Sequence, residues 1–396
     1  DASSTRSTTL KSPYINGSIT SEIMPTHIVS ASVDMLRNVA PALLGNTLTG
    51  KSLKIESPYS GKLNFAFTID KNINRQQLFS MPVQLLYPVT IGGDIDYSAG
   101  TAAIKADAPY LQQGKDKLIR ETSLGINIAD SQARVDFHSI IPTKKGILNL
   151  YTDILAANDA ADINLHFNPD SGSAFTGDLA MRAEYHPDLN PSGRKATLRF
   201  IPSTLYLNGA EWHVGRSYAE YYDKQLEIRD FNIAHENQHI AINGIASPST
   251  DDMMVVDLSD INLDYIFDTL NINYVSFGGT ATGQAIAAGA FSPTPDAHTR
   301  NLTVRDLSYN HCVLGNAKLL GDFDIKNMRI GIKADIEEEE RPVASVDGGI
   351  WLGGRDSLSF GIDADRVRVD FLQTFMQAFA RDVSGRASGR GLLYGT

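Results

Sequence analysis

One cysteine, Cys312, stands in a chain of 396 residues, which excludes an internal disulfide framework and a metal knot of cysteine thiolates. Tryptophan occurs only twice, and no apolar run approaches the ~18 residues that a membrane-crossing helix needs. Positive charge is in deficit, since 35 Lys and Arg face 46 Asp and Glu for a formal net charge of −11. Sequence-independent nucleic-acid binding needs a basic surface, so no nucleic-acid partner is expected. No signal peptide is recognisable at Asp1, and the last copy of the repeat described below is cut short, so the chain reads as a fragment of a longer protein. Disorder is not expected either, because 42% of residues are hydrophobic and only 20% charged.

What fills the chain is alternation with a period of two, the signature of strands with one apolar face. Clear runs are Leu63-Phe65-Phe67-Ile69, Leu124-Ile126-Ile128, Ile163-Leu165-Phe167, Met328-Ile330-Ile332 and Leu358-Phe360-Ile362. Turn chemistry such as Asn208-Gly209 and Asn243-Gly244 is expected to bound such runs. The fold class is therefore mainly β, a long antiparallel sheet with one face hidden from water. Three short amphipathic helices are expected: within 369–382, where Phe371, Phe375 and Phe379 recur at helical spacing; over roughly 263–270; and over 33–44, disturbed by Pro41. Asn168 to Ser173 and His186 to Gly193 read as loops, and Glu337 to Glu340 as a charged hairpin tip.

The strands belong to a repeat. Leu263-Asp264-Tyr265-Ile266 recurs as Val369-Asp370-Phe371-Leu372, and Gly279 and Gly283 recur as Gly385 and Gly389, all displaced by 106 positions (264 to 370, 283 to 389). A more diverged copy carries Ile15-Asn16-Gly17, Val33-Asp34-Met35-Leu36 and Gly50; the later copies open with Ile242-Asn243-Gly244 and Val346-Asp347-Gly348. The copies span about 12–125, 226–335 and a truncated 336–396, and 1–396 is expected to form one continuous repetitive body. Repeats make long surfaces more readily than single catalytic pockets.

Two motifs look like chemistry. Gly45-Asn-Thr-Leu-Thr-Gly50-Lys51-Ser52 has the letters of a phosphate-binding loop. Such a site needs a helix beginning at the lysine, because its N-terminal amides bind the anion. Here Leu53 and Ile55 alternate as in a strand, and Gly50 already fills the repeat's glycine slot. His235-Glu236-Asn237-Gln238-His239 has the letters of a zinc-protease helix. That chemistry needs both histidines on one helical face with the glutamate as base, whereas the flanks alternate as strands and the five residues sit where a hairpin reverses. No catalytic residue, cofactor or metal is assigned, and the chain is expected not to be an enzyme.

Beyond alternation, the segment from Leu226 to Phe323 resembles the AsmA-like family, in particular the C-terminal region of its translocation and assembly module (TamB) group. The resemblance is carried by Trp212-His213-Val214, Leu226-Glu-Ile-Arg-Asp-Phe-Asn-Ile233, His239-Ile-Ala-Ile-Asn-Gly-Ile-Ala-Ser247, Val256-Asp-Leu258, Leu263-Asp-Tyr-Ile266, Gly279-Thr-Ala-Thr-Gly283 and Asn301-Leu-Thr-Val-Arg-Asp-Leu307. Phe360 to Gly395 repeats the pattern. The resemblance implies a sheet bent into an open, apolar trough, held in the periplasm by an N-terminal inner-membrane anchor that this chain lacks. It also implies phospholipid transport between inner and outer membranes and a part in outer-membrane protein assembly, with an outer-membrane BamA-like barrel as partner through regions outside this fragment.

The expected ligand is phospholipid acyl chains, which match an aliphatic surface without needing directional bonds. The expected groove is lined by Leu63, Phe65, Phe67, Ile69, Ile240, Ile242, Leu302, Val304, Met328, Ile330, Ile332, Leu358, Phe360 and Ile362, which alternation turns to a common face. The competing expectation is an extracellular β-repeat adhesin or surface protein, whose inner face would be a dry, interdigitated core.

Overall fold

The computed structural model describes residues 5–44, 58–71, 83–113, 117–143, 146–168, 175–187, 195–207, 210–263, 277–309, 312–324, 327–351, 357–370, 373 and 383–395. The Gly45–Ser52 segment, the loop residues 169–174 and 188–194, the 208–209 turn, and nearly all of the helices expected over 263–270 and 369–382 lie outside them. The described residues form 25 strands, antiparallel in their pairings, with two short helices. The chain divides into two compact units, Asp1–Val214 and Gly215–Thr396.

The first unit opens with β1 (Arg6–Lys11), β2 (Ile15–Ser21), α1 (Ile28–Val39), α2 (Pro41–Leu44) and β3 (Lys62–Ile69). It continues with β4 (Val83–Leu85), β5 (Val89–Asp96), β6 (Thr101–Gln113), β7 (Lys117–Ala129), β8 (Gln132–Thr143) and β9 (Gly146–Ala157). It ends with β10 (Ala160–Phe167), β11 (Phe175–His186), β12 (Lys195–Ile201), β13 (Ser203–Leu207) and β14 (Ala210–Val214). The second unit holds β15 (Ser217–Tyr222), β16 (Gln225–His235), β17 (Gln238–Ala246), β18 (Met253–Asn262), β19 (Phe277–Ala288) and β20 (Asp296–Tyr309). Then come β21 (Cys312–Asp324), β22 (Arg329–Glu338), β23 (Arg341–Trp351), β24 (Ser357–Arg368) and β25 (Arg386–Gly395).

Tight reversals make this meander. At Asp130-Ser131, Asn158-Asp159, Asp223-Lys224 and Glu339-Glu340 both central residues have positive φ. That is the two-residue hairpin turn whose twist matches the strands it joins. The charged run is therefore a tip only at Glu339 and Glu340. Glu337 and Glu338 sit in β22, where Glu337 accepts from Lys318 at 2.8 Å and Glu338 pairs with Arg386.

Helix α1 starts five residues earlier than the alternation suggested, at Ile28 rather than Val33. A 3-10 turn at Pro25–His27, with proline at its first position, leads into it, where the fixed φ of proline suits a helix start. Pro41 splits α1 from α2, as its missing N–H requires. The two-residue turn between β9 and β10 holds the C-terminal end: Asp159 accepts hydrogen bonds from the N–H groups of Ala42 and Leu43, both at 2.9 Å.

Asn243-Gly244, expected in a turn, lies inside β17 instead. Gly244 has φ +124 where a Cβ would stand 2.1 Å from the carbonyl oxygen of Met253, so glycine is needed for strand approach, not for reversal. Its neighbour Asn243 serves a bulge. Register shifts fall at Ile228/Phe231, Leu258/Ile261, Val304/Leu307 and Ala364/Val367. Each contains one left-handed residue: Asp230, Asp260, Asp306 or Arg366. In each case a side-chain oxygen from the neighbouring strand accepts that residue's N–H: Asn243 at 2.7 Å, Thr282 at 3.0 Å, Asn316 at 3.0 Å and Ser388 at 2.8 Å. A bulge leaves one residue outside the ladder, and the clamp gives that residue's donor a partner.

These clamps show the repeat in three dimensions. Asp260 and Thr282 become Arg366 and Ser388 at the same displacement of 106 residues as the marker glycines. Those glycines keep their conformation as well as their spacing: φ is 126 and 151 at Gly279 and Gly283, and 122 and 158 at Gly385 and Gly389. Replacing Thr282 with Val removes the acceptor for the Asp260 N–H. This is expected to cost about 1 kcal/mol, the net worth of one such bond, read as a lower denaturant midpoint. An unchanged midpoint would show that water replaces the clamp at no cost.

Candidate functional site: the apolar face

Residues directly opposite one another across antiparallel strands point to the same side, so the ladder sorts the first unit's inward residues into rows that cross its strands. The first row reads Ser21, Leu63, Ile95, Ala102, Ile128, Ala133 and Ala156 from β2 to β9. Helix α1 covers it, burying Ala31, Met35 and Val39 against these residues. The alanines leave room for the helix, and Ala31 is fully buried where it meets them. Ser32 and Tyr97 add a hydroxyl contact of 2.9 Å between helix and sheet.

The second row runs Ile19, Phe65, Gly93, Ile104, Ile126, Val135, Ile154, Ile163, Met181 and Phe200, from β2 to β12. The third reads Gly17, Phe67, Ile91, Ala106, Leu124, Phe137, Thr152, Leu165 and Leu179. Every residue of these two rows is half-buried. The contrast with the first row is the informative fact: Leu63 and Ile128 are 5% and 4% exposed because a helix lies on them. Among the described residues no element lies over most of the second and third rows as α1 lies over the first. With nine steps between strands at about 4.8 Å, the second row offers an apolar path of roughly 43 Å along the sheet.

The second unit repeats the arrangement. Ala281, Val304, Ala317 and Ile336 form a buried row, with Leu263, Phe277, Leu302, Leu314 and Leu319 packed against it. Beside it lie Leu302, Leu319, Ala334, Val346 and Ile362, in register from β20 to β24. Next come Gly321, Ile332, Gly348 and Phe360, and then Phe323, Ile330, Ile350 and Leu358. Ile240 and Ile242 face Leu258 and Val256 on the same side, continued through Ala285 to Thr299, which accepts the Gly321 N–H at 2.7 Å.

The fourteen groove positions read from the sequence thus fall into two groups with three corrections. Phe65, Phe67 and Ile69 stand half-buried on the apolar side of the first unit, Phe65 against the α1 cluster; Ile240, Ile242, Leu302, Ile330, Ile332, Leu358, Phe360 and Ile362 stand half-buried on that of the second, Leu302 against the Val304 cluster. Leu63 and Val304 are corrected to core positions, since each lies in a covered row at 5% and 1% exposure. Met328 is not in a strand. It precedes β22 with φ 47, in the reversal that ends the alternating run.

Sequence reading missed most of β5, β6, β8, β9, β11 and β12. Their inward residues are interleaved with Gly93, Ala102, Ala106 and Ala133, whose small side chains dilute the apolar alternation.

The opposite face is charged and solvated. Arg182 bridges Asp162 at 2.7 Å and Glu184 at 2.8 Å, and His166 lies between Asp178 at 2.5 Å and Asp153 at 3.4 Å. A depression of about 830 Å³ in the first unit is also centred here, over Ala66, Gly92, Lys105 and Gly125. Its walls carry Thr68, Asp94, Asp107 and Asn127 together with Phe67, Ile91 and Ile104. His235 and His239 are in strands flanking the Glu236-Asn237 turn. His235 faces Gln238 while His239 faces Ala234, so the two point to opposite sides and cannot share a metal as on a helix.

No family model, no curated protein and no solved structure matches this chain.

Hydrogen bonding from Arg182 holds the Glu184 carboxyl below its ordinary value of 4.5 against a smaller opposing desolvation. A depressed folded value contributes stability that is complete above pH 4.5 and is lost as pH falls through the lower folded value. Glu184→Gln is therefore expected to flatten the stability profile in that acid window and leave its neutral limb within about 1 kcal/mol of wild type, since the site is partly solvated. Denaturant midpoints across pH 2.5–7 check this.

Proposed function

We propose that the chain is a non-enzymatic section of a lipid conduit whose apolar sheet faces hold phospholipid acyl chains. The single observation behind this reading is the half-buried state of two adjacent rows of Ile, Leu, Val, Phe and Met across the first unit. Apolar surface of this extent, over most of which no element lies among the described residues, is what a binding face presents, and each methylene removed from water there contributes about 0.8 kcal/mol. A hydrocarbon chain needs no hydrogen-bonding partner, and these rows offer few. The resemblance to the AsmA-like family supports the same reading. With it come the further proposals of a periplasmic location, an inner-membrane anchor outside this chain, transport between the two membranes, and a BamA-like barrel partner met through other segments. A packed adhesin core fits less well, because the second and third rows of the first unit are half-buried throughout.

Ile330→Asp and Leu165→Asp place a carboxylate on half-buried floor positions from which it still reaches water. Both variants are expected to fold and to lose co-purifying phospholipid, measured by mass spectrometry of the extracted protein. Val304→Asp puts the same charge in a covered row and is expected to unfold the chain, because an unpaired buried charge costs several kcal/mol. Wild-type protein that carries no phospholipid when expressed in a double-membrane bacterium would sink the conduit reading.

A further inference from the structure

Three glycines on the apolar faces stand directly opposite phenylalanines. Gly93 in β5 faces Phe65, Gly17 in β2 faces Phe67, and Gly348 in β23 faces Phe360. In each pair the ring lies over the glycine. A Cβ built on Gly93 would come within 2.9 Å of the Phe65 ring tip, one on Gly17 within 2.4 Å of Phe67 Cδ1, and one on Gly348 within 2.6 Å of Phe360 Cδ1. None of the three glycines has positive φ, so the backbone itself does not demand glycine there. What demands it is the space above the Cα, shared by the ring and a strand carbonyl oxygen: Ala66 O at 2.3 Å for Gly17, Ser359 O at 2.1 Å for Gly348 and, from β6 on the other side, Ala103 O at 2.9 Å for Gly93.

The arrangement has a consequence for any ligand on the face. A phenylalanine with a side chain beside it stands up from the sheet, whereas one beside a glycine can lie along its own row. We propose that Gly93, Gly17 and Gly348 set the depth of the acyl floor: each lets a large ring fill the floor sideways, so that the face stays apolar yet low enough for a hydrocarbon chain to pass over it. The inference rests on the conduit reading and deepens it. It specifies a ligand that is thin and flexible, a linear acyl chain lying on the rings, in preference to a rigid polycyclic lipid. The recurrence argues for purpose over accident, since two pairs are neighbours in the first unit and the third occupies the glycine slot that opens the last copy of the repeat.

The test compares adjacent residues of one strand. Gly93 points to the apolar face, and Gly92 to the charged face, where a Cβ would meet nothing closer than a backbone oxygen at 3.3 Å. Four versions of the full chain are made: wild type, Gly92→Ala, Gly93→Ala, and Gly93→Ala combined with Phe65→Leu, which removes the ring tip. Each is delipidated and titrated with a fluorescent phospholipid, and with a fluorescent sterol as the rigid probe, with thermal unfolding measured in parallel. Gly93→Ala is expected to bind the phospholipid about tenfold more weakly, the loss of roughly two methylenes of contact. Gly92→Ala should bind like wild type, the double variant should recover part of the loss because only the ring contact is relieved and the Ala103 carbonyl remains, and the sterol should bind each version more weakly than phospholipid.

Phospholipid affinity unchanged in a folded Gly93→Ala protein overturns the inference while leaving the conduit reading intact. So does a folded double variant that regains nothing, which would place the defect in the strand backbone and not in the ring. If Gly93→Ala fails to fold, the double variant decides: a folded, lipid-binding double supports the steric pair, and one that also fails to fold overturns it. Wild type that binds neither probe refutes the conduit reading itself, and the depth-setting role falls with it.

Discussion

A strand can hydrogen-bond to its neighbour one residue out of step nearly as well as in step, yet that slip turns every side chain to the other face of the sheet. For this chain the slip would put Phe65, Ile104 and Ile154 among the ion pairs and Arg182 and Asp162 among the apolar rows. Register is thus the constraint on which both faces depend. It is fixed at two levels. Two-residue turns with left-handed residues, such as Asn158-Asp159, set which residues face each other in a hairpin. Within strands, bulges re-count the ladder at defined places, and Asn243, Thr282, Asn316 and Ser388 hold the bulged residues there.

The apolar face so produced is closed unevenly. Helix α1 lies over one row, where Ala102, Ala133 and Ala156 give it room, and Asp159 ties down the segment that follows. The neighbouring rows carry Ile, Phe, Leu and Met at the positions where the covered row turns to alanine. The two kinds of row therefore divide the labour: one stabilises the unit by burying helix against sheet, and the others remain a half-buried surface. Large aliphatic residues gain less from half-burial than they would in a core, which is an unusual allocation for residues selected for stability alone.

The mainly β architecture was legible in the sequence, because the runs at Leu63–Ile69 and Leu358–Ile362 keep strict alternation. The repeat was legible too, and the matching φ values of Gly279, Gly283, Gly385 and Gly389 tie its letters to conformation. Elements whose meaning depends on a neighbour were harder to read. Asn243-Gly244 looks like a turn from its residues alone, and becomes a strand pair only beside Met254 and Asp230. Leu63 and Val304 alternate like their neighbours, and nothing local says that a helix or packed side chains cover one end of each run. The start of α1 was displaced because Ile28 and Val29 continue no strong apolar stripe, while Pro25, which begins the turn ahead of it, carries the signal. The open rows of β5, β6 and β8 were hidden by glycine and alanine, the residues that give α1 and the rings their space.

The bulge clamps carry a consequence for how such a chain changes in evolution. Each pin joins only neighbouring strands, so the second and third copies of the repeat each bring their own means of keeping count. Duplicating or deleting one copy leaves the alignment of the others untouched, as in architectures where stability sums over neighbouring units. Reach can then lengthen or shorten in whole copies under selection, at little risk of inverting the faces, whereas an insertion of a single residue within a strand must be absorbed by a new pinned bulge or be lost.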